Sequence, residues 1–111
     1  MKTSYIEIKK SKFYGYAYNV TSVTEVNIIL NELKLSNKKS SHIVYAYKIN
    51  SNIKKYEDKE PSGTSGSQIL NIIEKKNLDN ILIVVIRYFG GTLLGVGNLA
   101  KAYRTCCINL F

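Results

Sequence analysis

The apolar run Ile81-Leu82-Ile83-Val84-Val85-Ile86 is the longest in the chain, and it stops abruptly at Arg87-Tyr88-Phe89-Gly90-Gly91. β-branched residues suit a pleated, covered surface, so 81–88 reads as a buried strand. Alternation marks two short strands at 5–9 and 12–18. In the second, Tyr14, Tyr16 and Tyr18 share one face and Phe13, Gly15 and Ala17 the other. Ser11 and its lysine neighbours supply the bend between them. Ser22 and Glu25 have capping-box spacing, and Val26, Ile29, Leu30 and Leu33 recur at helical period, which predicts a helix to about Leu35. Residues 42–49 read as a strand with Ile43, Tyr45, Tyr47 and Ile49 on one face. A polar excursion from Asn50 to Ser65 follows, with a short extended piece near Tyr56. A second helix is predicted at about 66–76, with Ile69, Ile72 and Ile73 inward. After the Asp79-Asn80 turn and the strand 81–88 comes a glycine-rich loop, Gly90 to Gly97. A last helix starts near Asn98 and carries Leu99, Ala102, Tyr103, Cys106 and Leu110 on one stripe.

The order ββ-α-β-α-β-α predicts an α+β domain, a two-layer sandwich with a four-stranded mixed sheet and its helices on one face. The helix between strands 42–49 and 81–88 suggests that these two pair in parallel. Tyrosine-rich strands would then leave an aromatic, partly wet second face. The 111 residues fit one domain spanning 1–111.

Charge narrows the partners more than the fold. The formal net charge is +8, and fourteen of the sixteen cations are lysines, which favours anionic surroundings such as RNA or acidic protein surfaces. Lysine-rich surfaces also simply confer solubility. The only cysteines, Cys106 and Cys107, are neighbours in sequence, a spacing that suits neither a bridge nor a zinc site, so a reduced, cytoplasmic protein is expected. The start Met1-Lys2-Thr3-Ser4-Tyr5 has no apolar core of a signal peptide, and no apolar stretch reaches membrane-spanning length.

Two loops carry candidate chemistry. In Glu60-Pro61-Ser62-Gly63-Thr64-Ser65-Gly66 the hydroxyls and glycines can form a nest of N–H groups at a helix start, suited to phosphate or carboxylate; equally, they can cap the helix. Arg87 can clamp an anion, or pair with Glu57, Asp58 or Glu60 and so join the two loops. The anion-binding candidates are Glu60, Ser62, Gly63, Thr64, Ser65, Arg87, Tyr88, Gly90 and Gly91. The tyrosines can stack bases or pack across strands. The sole histidine, His42, reads as structural. No catalytic residue, metal ligand set or cofactor is assigned.

Several of these blocks occur in one order at fitting spacing: Lys10-Ser11-Lys12-Phe13, Gly15-Tyr16-Ala17, His42 with Tyr45-Ala46-Tyr47, Glu60 to Gly66, Arg87 to Gly91, Leu94-Gly95-Val96-Gly97 and Leu99 to Tyr103. In this the chain resembles the IMPACT family, including its bacterial YigZ-type members, over about residues 7 to 105. The resemblance implies a fold similar to the second domain of small-subunit ribosomal protein five. It also implies a link to translational control, since eukaryotic members restrain the amino-acid-starvation response. Members usually carry Gly where this chain has Lys59, Pro where it has Gln68 and Gly where it has Asn98. Full-length bacterial relatives also carry a C-terminal ferredoxin-like domain, which this sequence, stopping at Phe111, does not include; the resemblance leaves two expectations, a fragment of a longer protein or a homodimer through the last helix or the open sheet face that covers the apolar ending. The expected function is a non-catalytic module, without membrane contact, that binds RNA, the ribosome or a translation-control protein through the two loops. The alternative is an enzyme acting on a small phosphorylated or carboxylated metabolite at the same site.

Overall fold

The computed structural model describes residues 1–111. Its elements are β1 (Lys2–Ile8), β2 (Ser11–Asn19), α1 (Val23–Ser36), β3 (His42–Ile49), β4 (Asn52–Tyr56), α2 (Gly66–Lys75), β5 (Ile81–Tyr88) and α3 (Val96–Ile108). The α+β class is as expected, but the sheet has five strands, in the order β1-β2-β5-β3-β4. Every neighbouring pair is antiparallel, including β3 with β5, in contrast to the four-stranded mixed sheet and the parallel pair expected. The short extended piece near Tyr56 accounts for the difference. It forms β4, which folds back on β3 through Asn50-Ser51, so the chain has already reversed before α2 begins. The helical crossover therefore joins the parallel strands β4 and β5, with β3 lying between them.

The helices also occupy both faces of the sheet, and not one. α1 links β2 to β3, which are parallel and separated by β5, and packs Val26 and Leu30 on Ile43, Tyr47, Leu82, Val84 and Ile86. α2 and α3 lie on the other face, where Ile69, Ile73, Leu99, Ala102 and Tyr103 meet Phe13, Val44, Ala46, Ile83 and Val85. β5 is thus covered on both sides, which is what an unbroken apolar run demands of a central strand. Ser22 caps α1 as expected, its Oγ accepting from Glu25 N at 3.2 Å, while Glu25 reaches back to Thr21 N at 2.9 Å. No helix is long and apolar enough to cross a membrane. Leu110 is buried within the chain's own core, and the Phe111 ring lies 5.2 Å from Lys2 Nζ and 5.5 Å from Lys76 Nζ.

Three two-residue turns carry positive φ at both positions: Lys9-Lys10, Asn50-Ser51 and Asp58-Lys59. The bend thus falls one residue before Ser11, which already pairs with Ile8. A side chain in the left-handed region is strained, and Lys59 sits at φ 63°. Lys59→Gly is expected to stabilise the fold by about 0.5–1 kcal/mol, the relief of strain being partly offset by the larger entropy of glycine in the unfolded chain. Urea unfolding checks this as a higher midpoint at an unchanged slope.

Candidate functional site

The register of the sheet brings one end of three strands together. Arg87 of β5 lies opposite both Phe13 of β2 and His42 of β3. Its guanidinium carbon is 5.6 Å from the Phe13 ring and 5.6 Å from the Phe89 ring. Of the three acids offered by the preceding loop, Glu60 takes the charge: Arg87 Nη1 donates to Glu60 Oε1 at 3.0 Å and to Oε2 at 2.9 Å. Both residues are buried. The Tyr103 hydroxyl, reaching from α3, also donates to Glu60 Oε2, and burial followed by the contact with Glu60 pushes the Tyr103 hydroxyl pKa far up. His42 Nε2 lies 3.4 Å from Glu60 Oε1. His42 Nδ1 is 2.7 Å from the Asp58 carbonyl, which can only accept, so Nδ1 carries the proton. Asp58 Oδ2 in turn accepts from Ile43 N at 2.7 Å. One carboxylate thus ties together the loop, two strands and the last helix. Arg87 Nε is buried without a partner.

The nest of the hydroxyl loop forms as the glycine and hydroxyl pattern suggests, but the chain fills it with its own anion. Glu57 Oε2 accepts from Gly63 N at 3.0 Å, and Oε1 accepts from Ser65 N at 2.9 Å and Ser65 Oγ at 2.7 Å. The Ser67 hydroxyl donates to Oε2. Ser65 is the N-cap of α2, yet its side chain makes no capping bond; the Glu57 carboxylate sits at the positive end of the helix in its place. Burial pushes the Glu57 carboxyl pKa up, but the hydrogen bonds from Ser67, Ser65 and Gly63 outweigh it and hold it at about 2.

The predicted residues therefore separate. Glu60, Thr64, Ser65 and Arg87 are buried and bonded within the protein, Thr64 through its Oγ1 to the Pro61 carbonyl at 2.6 Å. Ser62 and Gly91 are exposed. Gly63 holds its positive φ of 82° while its N–H serves Glu57. Gly90 is a close-approach residue, since a Cβ there would fall 2.1 Å from the Lys10 carbonyl carbon. Tyr88 points to the opposite face from Arg87, because side chains alternate along a strand, and its hydroxyl donates to Asn37 Oδ1 at 2.6 Å.

On that opposite face α1 is one helix set against five strands, and the β1–β2 side is left open. The result is a cleft of about 790 Å³ lined by Glu7, Lys10, Lys12, Tyr14, Tyr16, Asn37, Tyr88, Phe89 and Gly90. Tyr14 stands at the centre of an aromatic row, 4.9 Å from Tyr5 and 5.9 Å from Tyr88 between ring centroids. The partly wet tyrosine face expected from the strand pattern is present here, with two lysines at its edge. Sequence reasoning did not find Glu57 as the nest's occupant, the hydroxyl of Tyr103 or Asn37.

A family model described as the Impact N-terminal domain matches residues 9–111. The IMPACT family member YvyE of Bacillus subtilis (strain 168) is 37% identical over 101 residues, covering 88% of this chain and 46% of that protein. The crystal structure of a hypothetical protein superposes with a TM-score of 0.93 at 28% identity, over 98% of this chain and 55% of that one. The structure of the two-domain translational regulator Yih1 superposes with a TM-score of 0.59 at 25% identity, over 98% of this chain and 46% of that one. The chain spans about half the length of the bacterial relatives it matches and about a third or less of the eukaryotic ones.

Proposed function

The chain belongs to the Impact N-terminal domain family, and on that premise we propose that it is a binding module of translational control, acting in the cytoplasm by docking on the ribosome. The likeness to the translational regulator Yih1 supports the process. The cleft on the α1 face is the observation that carries the docking surface. It is the one place where residues from the Arg87-to-Gly91 block, namely Tyr88, Phe89 and Gly90, stand beside open space and lysine charge. The hydroxyl loop contributes indirectly. Its nest holds Glu57 and its Glu60 holds Arg87, so it fixes the end of β5 from which the cleft wall is built.

Lysines at a rim supply attraction that falls steeply with salt, because each neutralised phosphate releases counterions. Co-sedimentation with purified ribosomes at rising salt tests the reading. Association is expected to weaken steeply with salt, and the double variant Lys10→Ala/Lys12→Ala is expected to lose most of it. A control that removes the same charge from the β4 edge, Lys54→Ala/Lys55→Ala, should retain it. Equal sedimentation of the cleft variant and the unaltered protein would overturn the assignment.

A further inference from the structure

We propose that the occupant of the α1-face cleft is single-stranded RNA, with bases stacked on the tyrosine floor and phosphates on the lysine rim; this rests on the assignment of the cleft as the docking surface. The floor and the rim ask for different chemistry. Tyr14, Tyr16 and Tyr88 line the cleft half-buried, so part of each aromatic side chain stays open to a ligand, whereas the Phe89 ring lies against Arg87. Lys10 and Lys12 at the rim ask for anions. Nucleic acid joins a flat aromatic group to a phosphate in every residue, and base stacking on aromatic side chains with a basic groove along the backbone is how sequence-tolerant single-strand binding works. A duplex keeps its bases stacked on one another and cannot present them to this floor.

An acidic peptide fits less well. It would use the lysines, leave the aromatic floor unexplained, and meet the carboxylate of Glu7, which also lines the cleft. For a nucleobase the same Glu7 is an asset. A carboxylate only accepts, and base edges carry N–H donors. Its present partner is the Tyr5 hydroxyl, which donates to Glu7 Oε1 at 2.9 Å on the exposed side, so it remains accessible. The cleft volume of about 790 Å³ is that of a small-molecule pocket, room for roughly one or two nucleotides and not a long tract.

The rings themselves report the outcome. Titration of the unaltered protein with oligocytidylate is expected to shift the ring-proton resonances of Tyr14, Tyr16 and Tyr88 upfield, the mark of a stacked base. The resonances of Tyr47 and Tyr103, buried elsewhere, should stay in place. Tyr16→Leu keeps an apolar contact but removes the ring, and is expected to weaken binding about tenfold. Lys10→Ala/Lys12→Ala is expected to reduce the slope of log K against log salt by about 1.4, two phosphate contacts on a single strand. Circular dichroism establishes that both variants are folded.

Duplex RNA binding as tightly as the single strand would overturn the proposal. So would displacement of the oligonucleotide by an acidic peptide without ring shifts, or an absence of shifts at the three tyrosines. If the lysine variant loses the ribosome while oligocytidylate leaves the rings untouched, the docking surface stands and its occupant is not single-stranded RNA. If neither responds, the docking surface itself is wrong.

Discussion

Arg87→Ala is expected to cost about 3–5 kcal/mol of folding stability, a large share of the 5–15 kcal/mol that holds a typical domain. The reason is the state in which Glu60 is left. Its carboxylate is buried, and Arg87 Nη1 is its close cationic partner at 2.9 and 3.0 Å. Without that charge Glu60 loses its guanidinium partner and keeps the neutral Tyr103 hydroxyl and the edge of the His42 ring at 3.4 Å. The cost is therefore that of an uncompensated buried anion and not the net worth of the pair. That distinction is measurable. Glu60→Leu combined with Arg87→Met and Tyr103→Phe removes both charges and the hydroxyl that would otherwise lose its acceptor, and is expected to recover most of the loss. Urea unfolding at neutral pH compares the two. A single-variant cost below about 1 kcal/mol would mean that the network is solvated and does not hold the loop to the sheet.

The same network has a consequence for binding. Arg87 and Tyr88 are adjacent in sequence but face opposite sides of the sheet, so a folded Arg87 variant reports on stability and a Tyr88 variant on the cleft. Reading the block from Arg87 to Gly91 as a single site overlooked this alternation. β5 itself was legible because six consecutive apolar residues permit little else than a covered strand. Helices on one face were expected, yet that same continuity is what cover on both faces produces, since a strand with one wet face alternates. β4 was hard to read for the opposite reason. Asn52–Tyr56 is exposed at every position, so no apolar rhythm marks it, and what defines it is pairing with β3 beyond a two-residue turn. Leaving the extended piece near Tyr56 out of the sheet reversed the direction expected of β5 relative to β3. The charge network was half legible. A cation ending a buried strand beside an acidic loop must pair, but the choice among Glu57, Asp58 and Glu60 depends on how the Asp58-Lys59 turn rotates the loop. Tyr103 was placed in the core by its helical stripe; spacing says nothing about where a hydroxyl points.

Acidification is expected to unlock the hydroxyl loop through Glu57, at a pH below that at which ordinary carboxylates titrate. The Glu57 carboxyl is held at about 2 in the folded protein, against an ordinary value of 4.5. Between these values the unfolded chain binds more protons than the folded one, so stability falls as pH falls. The contribution of Glu57 is complete above about pH 4.5 and gone below about pH 2. A shift of this size corresponds to about 3 kcal/mol in full, and solvent screening of a half-buried carboxylate reduces it to about 1–2 kcal/mol. Glu25, whose carboxyl is also held low by Thr21, is exposed and common to any variant of Glu57, so it cancels in a comparison. Glu57→Gln removes the anion and leaves one carbonyl oxygen for the N–H groups of Gly63 and Ser65 and the hydroxyls of Ser65 and Ser67. The variant is expected to be less stable than the unaltered protein by about 1–2 kcal/mol at neutral pH, with the gap closing as pH approaches 2. Urea midpoints measured across this range give the gap directly. A gap that stays constant with pH would mean that the nest is held by backbone geometry alone and that the charge of Glu57 does not order the loop that delivers Glu60 to Arg87.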